Sequence, residues 1–271
     1  MNESSVFRHG LASDQSAWTD LALPFRPLTQ EQIAAIDRQH CWHPYSSMLN
    51  PAPLFTVRSA NGVRLCLMDG RELIDGMASW WSVIHGYNHP VLNRAAKSQI
   101  DSVAHVMFGG LSNEPAIRLV KHLVDLTPSP LSKVFLADSG SVSVEVAIKM
   151  ALQYWNSKRQ AEKTRLMSVR NGYHGDTMGC MAVCDPQNGM HHLFSGILPQ
   201  HIFAPAPPAG YETELSSEVV KGLRDLFEKH HRELAAFIIE PIVQGAGGMR
   251  IYSPAYLRLI RELCDEFAVL L

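Results

Sequence analysis

Apolar positions change their period twice along this chain, and those changes divide it. At Thr29 the pattern is helical: Thr29-Gln30-Glu31-Gln32 is a capping-box sequence, and Ile33 and Ile36 fall on one face. The period then shortens to two. Leu54–Ser59 and Val63–Met68 flank Asn61-Gly62, a strong hairpin signal, and Asp69-Gly70 turns the chain into Arg71–Asp75. A small antiparallel meander is predicted, within a minor N-terminal subdomain over residues 29–84. Beyond Trp80-Trp81 the helical period returns over Val91–Val103 and Pro115–Leu126, the second helix beginning near Asn113.

Farther along, short apolar runs alternate with amphipathic ones. Strands are predicted at Lys133–Ala137, Arg165–Val169, His201–Ala204, Ala235–Ile239 and Ala268–Leu271. Helices are predicted at Val142–Trp155, Thr177–Val183, Ser216–His231 and Pro254–Phe267. The strands lack polar alternation, as expected when helices cover both faces of a sheet. The fold class is therefore α/β, an open and mostly parallel sheet flanked by helices in a large domain over residues 85–271. Ala268-Val269-Leu270-Leu271 has the pattern of a core strand stopped in mid-course, so the large domain is expected to be incomplete. Met1–Leu28 has no apolar run of a secretory signal and carries Glu3, Asp14 and Asp20 against Arg8 and Arg26, unlike a transit peptide. It reads as a poorly ordered leader.

Composition narrows the picture. The chain has 271 residues, 46% hydrophobic and 18% charged, enough for a large core. A net charge of −2 leaves no electrostatic footprint for nucleic acid or an anionic membrane surface. No apolar run approaches the roughly 18 residues of a membrane span. The five cysteines, Cys41, Cys66, Cys180, Cys184 and Cys264, match no zinc or disulfide spacing, so reduced, mostly core-packed thiols in a cytoplasmic protein are expected. No metal site is expected either. Cys180 and Cys184 lack a histidine at ligand spacing, and the pairs His191-His192 and His230-His231 would point in different directions on a helix.

Three motifs carry candidate chemistry. Asp138-Ser139-Gly140-Ser141 follows a predicted strand and opens a helix. Free N–H groups at a helix start suit a phosphate dianion; Gly140 lets the backbone approach, and the Ser141 hydroxyl adds a donor. A plain helix cap with a glycine turn would look the same. In Asn171-Gly172-Tyr173-His174-Gly175-Asp176-Thr177, Tyr173 stands just past a strand, where an aromatic can lie on a flat heteroaromatic ligand or simply cap the core. His174 alone is weak among thirteen histidines. The third motif, Ile238–Met249, delivers Glu240 at a strand end, followed by Pro241 and the glycines Gly245, Gly247 and Gly248. A solvated glutamate before a glycine-rich connection is the plainer alternative. All three motifs fall at ends of predicted strands.

From about Gln39 to its end the chain resembles the class III, fold-type I pyridoxal-phosphate-dependent aminotransferases. Tyr173-His174-Gly175 and Glu240-Pro241 are the elements shared across that family. Trp42-His43-Pro44-Tyr45 and Ser79-Trp80-Trp81 point to one branch of it. His85–Pro90, His105–Gly110 and Ala204-Pro205-Ala206-Pro207 strengthen the match. The resemblance implies that Gly140 and Ser141 hold the phosphate of pyridoxal 5'-phosphate and that Tyr173 stacks near its ring and meets substrate. Trp80 and Tyr45 would wall the substrate pocket, Asp176 would meet the amino donor, and Glu240 would support the site rather than carry a proton. The closer match implies transfer of an amino group from S-adenosylmethionine to 8-amino-7-oxononanoate in biotin biosynthesis, by a homodimer. Related family members act on diamines or ω-amino acids, and a non-catalytic binding protein on the same fold is a reading from another class.

In this family a carboxylate meets the pyridine nitrogen, and a lysine bonds the cofactor and moves the proton. The resemblance puts both beyond Leu271, so no catalytic lysine is expected among these residues. Lys149 would lie about two turns into its helix, and Lys133 at the wrong end of its strand. Without that lysine the 271 residues alone are expected to be inactive.

Overall fold

The computed structural model describes residues 27–187 and 192–271. The expected leader, Met1–Leu28, falls almost entirely outside them, as does His191. The chain divides into two compact units, one ending at Ile117 and one running from Arg118 to Leu271; the sequence pattern sets the change of architecture at residue 85.

In the first unit, helix α1 (Gln30–His40) opens on the expected capping box. Thr29 Oγ1 accepts from the Gln32 N–H at 3.3 Å, and Gln32 Oε1 accepts from the Thr29 N–H at 2.9 Å. Strands β1 (Val57–Asn61), β2 (Arg64–Leu67) and β3 (Glu72–Ile74) form the antiparallel meander in chain order. Asn61 pairs with Arg64 around Gly62, whose φ of +54° is the left-handed value such a turn needs. A short left-handed turn, labelled α2 (Ala78–Trp81), precedes α3 (Pro90–Ser102). Helix α4 (Glu114–Leu126) crosses the division, its start capped by Asn113 Oδ1, which accepts from the Ala116 N–H at 3.0 Å.

The second unit contains α5 (Gly140–Ser157), β4 (Arg165–Val169), α6 (Met178–Val183), β5 (Ile202–Ala204), α7 (Ser217–His230), β6 (Leu234–Phe237) and α8 (Pro254–Glu266). A two-stranded ribbon, β7 (Val243–Gln244) with β8 (Arg250–Ile251), stands between β6 and α8. The main sheet is parallel in the order β5-β4-β6, with Met167 opposite both Ile202 and Phe237. Leu270 adds one parallel bridge to Ala236 beyond β6.

Parallel strands joined by helices must bury both faces, and β4 does so. Met167 and Val169 join Phe227, Phe237, Tyr256 and Ile260 under α7 and α8, while Leu166 faces Trp155 of α5 and Val183 of α6. The Trp155 indole donates to the Ala235 carbonyl at 2.7 Å, tying α5 to β6. At the N-terminal end of β4, buried Lys163 donates to the carbonyls of His231, Leu234 and Ala268 at 2.7, 3.1 and 2.9 Å.

Two predicted strands do not form: Ala268–Leu271 makes only the single Leu270 bridge, and Lys133–Ala137 makes none. Residues 133–137 pair with no strand among the described residues, and Phe135 is 64% exposed. Apolar residues satisfy the strand pattern, but a strand also needs a neighbour for its backbone groups. The inference drawn from Lys133 and its strand falls with it.

Candidate active site

The site is built from the turns at the C-terminal ends of β4 and β6 and from the start of α5. Ser139 caps α5: its hydroxyl accepts from the Val142 N–H at 3.2 Å, and its carbonyl from the Ser143 N–H at 2.9 Å. That leaves the N–H groups of Gly140 and Ser141 without an acceptor among the described residues. A Cβ added to Gly140 would meet nothing within 4 Å, so no other segment packs against that side of the helix start.

The loop after β4 is pressed against this helix start. Ser141 Oγ accepts from the Asp176 N–H at 3.1 Å. Gly175 makes the approach possible: its φ is +125°, and a Cβ there would stand 2.4 Å from Ser141 Oγ. Below the contact, the Cys180 thiol donates to the Ser141 carbonyl at 3.2 Å. Glu145 Oε1 accepts from the Gly179 N–H at 2.7 Å, placing a carboxylate at the start of α6.

Glu240 joins the other two loops. One carboxylate oxygen accepts from the Tyr173 N–H at 3.0 Å, the other from the Gly245 N–H at 2.9 Å. Burial raises its pKa, and the two N–H donors pull the other way. Its own carbonyl accepts from the Tyr252 hydroxyl at 2.5 Å. Gly247 lets the glycine-rich loop cross the β4 turn, since a Cβ there would fall 2.1 Å from the Asn171 carbonyl oxygen.

Three further groups shape the β4 turn. Buried Asp185 accepts from the Asn171 N–H at 2.7 Å, letting Asn171 hold its φ of +63°. Buried Gln244 donates to the Arg170 carbonyl at 2.8 Å. His174 Nε2 meets Ser168 Oγ at 3.1 Å, and burial lowers the pKa of this imidazole to about 4. The neighbouring Cys184 thiol is pushed up to about 11 by burial and accepts from the His174 N–H.

Of the expected residues, Gly140, Ser141, Tyr173, Asp176 and Glu240 all lie in the second unit. Ser141 touches Asp176, and Glu240 touches Tyr173. Tyr173 is partly buried and Asp176 exposed. Trp80 and Tyr45 lie in the first unit, where their rings meet edge to face with centroids 5.9 Å apart. Ala78, Ser79, Trp80 and Trp81 have φ of 48°, 45°, 52° and 75°, four consecutive left-handed residues with side chains. Asp75 holds them: its carboxylate accepts from the Met77 N–H at 2.9 Å, the Ser79 N–H at 2.8 Å and the Tyr87 hydroxyl at 2.6 Å.

Sequence reading missed Asp185, Asp75 and the role of Gln244. An isolated aspartate or glutamine has no pattern of its own; only the fold shows which amide it serves. His230 is taken up by Glu233 and His231 by backbone carbonyls of α7.

A parallel sheet whose strand-end turns converge on a helix start is the arrangement of a phosphate-anchored cofactor site. The family model for class III aminotransferases matches residues 45–271, and the chain belongs to that family. It is 50% identical over 233 residues to the adenosylmethionine-8-amino-7-oxononanoate aminotransferase of Buchnera aphidicola subsp. Acyrthosiphon pisum, covering 86% of this chain and 54% of that protein. It is also 50% identical over 250 residues to the enzyme of the same name from Mycobacterium leprae, covering 90% and 56%. Among solved structures, the enzyme of that name from Methanocaldococcus jannaschii superposes with a TM-score of 0.81 at 32% identity, covering 88% of this chain and 53% of that one. An (S)-enantioselective omega-transaminase from Thermomicrobium roseum gives 0.77 at 29% identity, covering 90% and 56%. The chain thus spans about half the length of the relatives it matches.

Proposed function

We propose that the protein transfers an amino group from S-adenosylmethionine to 8-amino-7-oxononanoate, yielding 7,8-diaminononanoate for biotin synthesis, with pyridoxal 5'-phosphate as cofactor. The observation that carries this reading is the contact of Asp176 with Ser141, which joins the helix start to the aromatic loop. About 50% identity to enzymes of that name supports the choice of substrates.

The residues fit the cofactor. The free N–H groups of Gly140 and Ser141, at the positive end of an 18-residue helix, bind its phosphate. Ser141 Oγ accepts from Asp176 and keeps its own proton to donate. Tyr173, its backbone N–H held by Glu240, would meet the ring. Because both Glu240 oxygens are engaged by N–H groups, this carboxylate positions Tyr173 and carries no proton in the reaction. Bound there, pyridoxal 5'-phosphate supplies the electron sink that lets the C–H bond beside the amine ionise. Within the first unit the Tyr45–Trp80 ring pair would receive the aliphatic chain of the keto acid; within the second, Asp176 would meet the cationic donor. Neutral His174 stays in the turn as a structural ring. None of the lysines is assigned to bond the cofactor; the most buried of them, Lys163, is committed to three carbonyls at the opposite end of β4. We also propose a homodimer in the cytoplasm; no helix among the described residues is long and apolar enough to cross a membrane.

A second reading, an aminotransferase for diamines or ω-amino acids, draws on the likeness to the omega-transaminase. Mass-spectrometric product analysis separates the two. The full product of the gene, given 8-amino-7-oxononanoate with S-adenosylmethionine, lysine or a diamine as donor, is expected to form 7,8-diaminononanoate with S-adenosylmethionine. Product with a diamine alone would favour the second reading, and none with any donor would refute both.

A further inference from the structure

The last turn of α1 and the segment after it bring together three metal-binding side chains that the proposed reaction does not use. Asp37 lies in that turn, Cys41 caps the helix, and His43 follows two residues later. Their donor atoms, a carboxylate oxygen, Sγ and an imidazole nitrogen, all lie within 4.8 Å of one another, the only such trio among the described residues. His43 Nε2 is already 2.9 and 3.0 Å from the two Asp37 oxygens.

We propose that Asp37, Cys41 and His43 bind one divalent transition-metal ion of the zinc class. The ligand chemistry selects it: thiolate and imidazole favour zinc-like ions, whereas calcium and magnesium take oxygen donors almost exclusively. Metal–ligand bonds of about 2.0–2.3 Å put the donors of a tetrahedral site roughly 3.3–3.8 Å apart, so small side-chain rotations close the set. Three protein ligands leave a fourth position for water.

The backbone around the trio is already fixed. The Cys41 N–H donates to the Asp37 carbonyl at 2.8 Å, the Ser46 hydroxyl to the His43 carbonyl at 2.6 Å, and the Trp42 indole to the Ser46 carbonyl at 3.0 Å. The Asp37 side chain is 20% exposed and that of His43 48%, so an ion can enter from solvent. The carbonyl end of α1 favours a cation; Arg38 and His40 in the same turn oppose it. On binding, the Cys41 thiol proton passes to solvent, and Nε2 of His43 exchanges its contact with Asp37 for the metal while Nδ1 carries the ring proton. The spacing Asp37-x3-Cys41-x-His43 belongs to no standard zinc framework, so only the helix end reveals the site. The ion would tie α1 to the segment that leads, two residues past His43, into Tyr45.

Cobalt(II) titration of the metal-free chain tests this, because tetrahedral cobalt bound to a thiolate absorbs in the visible and shows a thiolate charge-transfer band. One equivalent is expected to give both features, zinc to erase them, Cys41→Ser to abolish the charge-transfer band, and His43→Gln to weaken binding at least tenfold. Cys66→Ser, the control for the remaining non-buried thiol, should leave the spectrum unchanged. Absence of a charge-transfer band in the parent chain, or a band that survives Cys41→Ser, would overturn the proposal.

Discussion

The backbone N–H of Asp176 donates to Ser141 Oγ at 3.1 Å, across 35 positions of sequence. That contact makes one site of two motifs. It fixes the serine rotamer with its proton directed away from Asp176, and it requires the glycine at 175. Ser141→Ala removes the acceptor and should cost roughly 1 kcal/mol of stability. A larger effect should fall on affinity for pyridoxal 5'-phosphate, because the variant also loses a phosphate donor.

Gly175→Ala tests the same contact from the other side. The added methyl would lie 2.4 Å from Ser141 Oγ on a backbone with φ of +125°. The loop should move off the helix start, lowering stability by about 1–3 kcal/mol and weakening cofactor binding. Unchanged denaturation midpoints and unchanged affinity would mean that the two motifs are not in contact.

Glu240→Gln discriminates between a positioning carboxylate and a solvated one. Glutamine has one acceptor oxygen for two N–H groups and turns an NH2 toward the other. Loss of about 1–3 kcal/mol is expected, along with a change in Tyr173 fluorescence or near-ultraviolet circular dichroism. A variant indistinguishable from the parent would leave the Tyr173 and Gly245 amides without need of the carboxylate.

Acid should destabilise the second unit through two partly buried imidazoles. His174 and His201 have pKa values lowered from 6.5 to about 4, chiefly by burial, with Arg165 adding to the shift at His201. Between those values the unfolded chain binds more protons than the folded one. Stability therefore holds above pH 6.5 and is lost as the pH falls toward 4. Urea denaturation at a series of pH values should show the decline, and His174→Gln should flatten it, leaving the part due to His201. An identical slope in the variant would contradict burial of His174 in the neutral form.

Much of this was legible in the sequence, for physical reasons. The capping box at Thr29, the Asn61-Gly62 turn and the run Arg165–Val169 are local signals, and each formed where its pattern placed it. The strand expected at residues 133–137 did not, because a strand is a relation between segments and its partner cannot be read from its own residues. Ser141, Tyr173 and Glu240 stood out as motif members, but which amide each one serves depends on loops that only the folded sheet brings together. Asp185 and Asp75 gave no signal at all, since each is a lone carboxylate whose importance lies in the left-handed turn it holds.

The measurement that bears most directly on the central claim is equilibrium binding of pyridoxal 5'-phosphate to the parent protein and to Ser141→Ala and Gly175→Ala, followed by cofactor absorbance and fluorescence. The site described here predicts saturable binding that weakens at least tenfold in each variant while Lys163→Met, at the opposite end of β4, leaves affinity unchanged in the folded fraction. Equal affinity in the parent, Ser141→Ala and Gly175→Ala, or no binding by the parent, would contradict it.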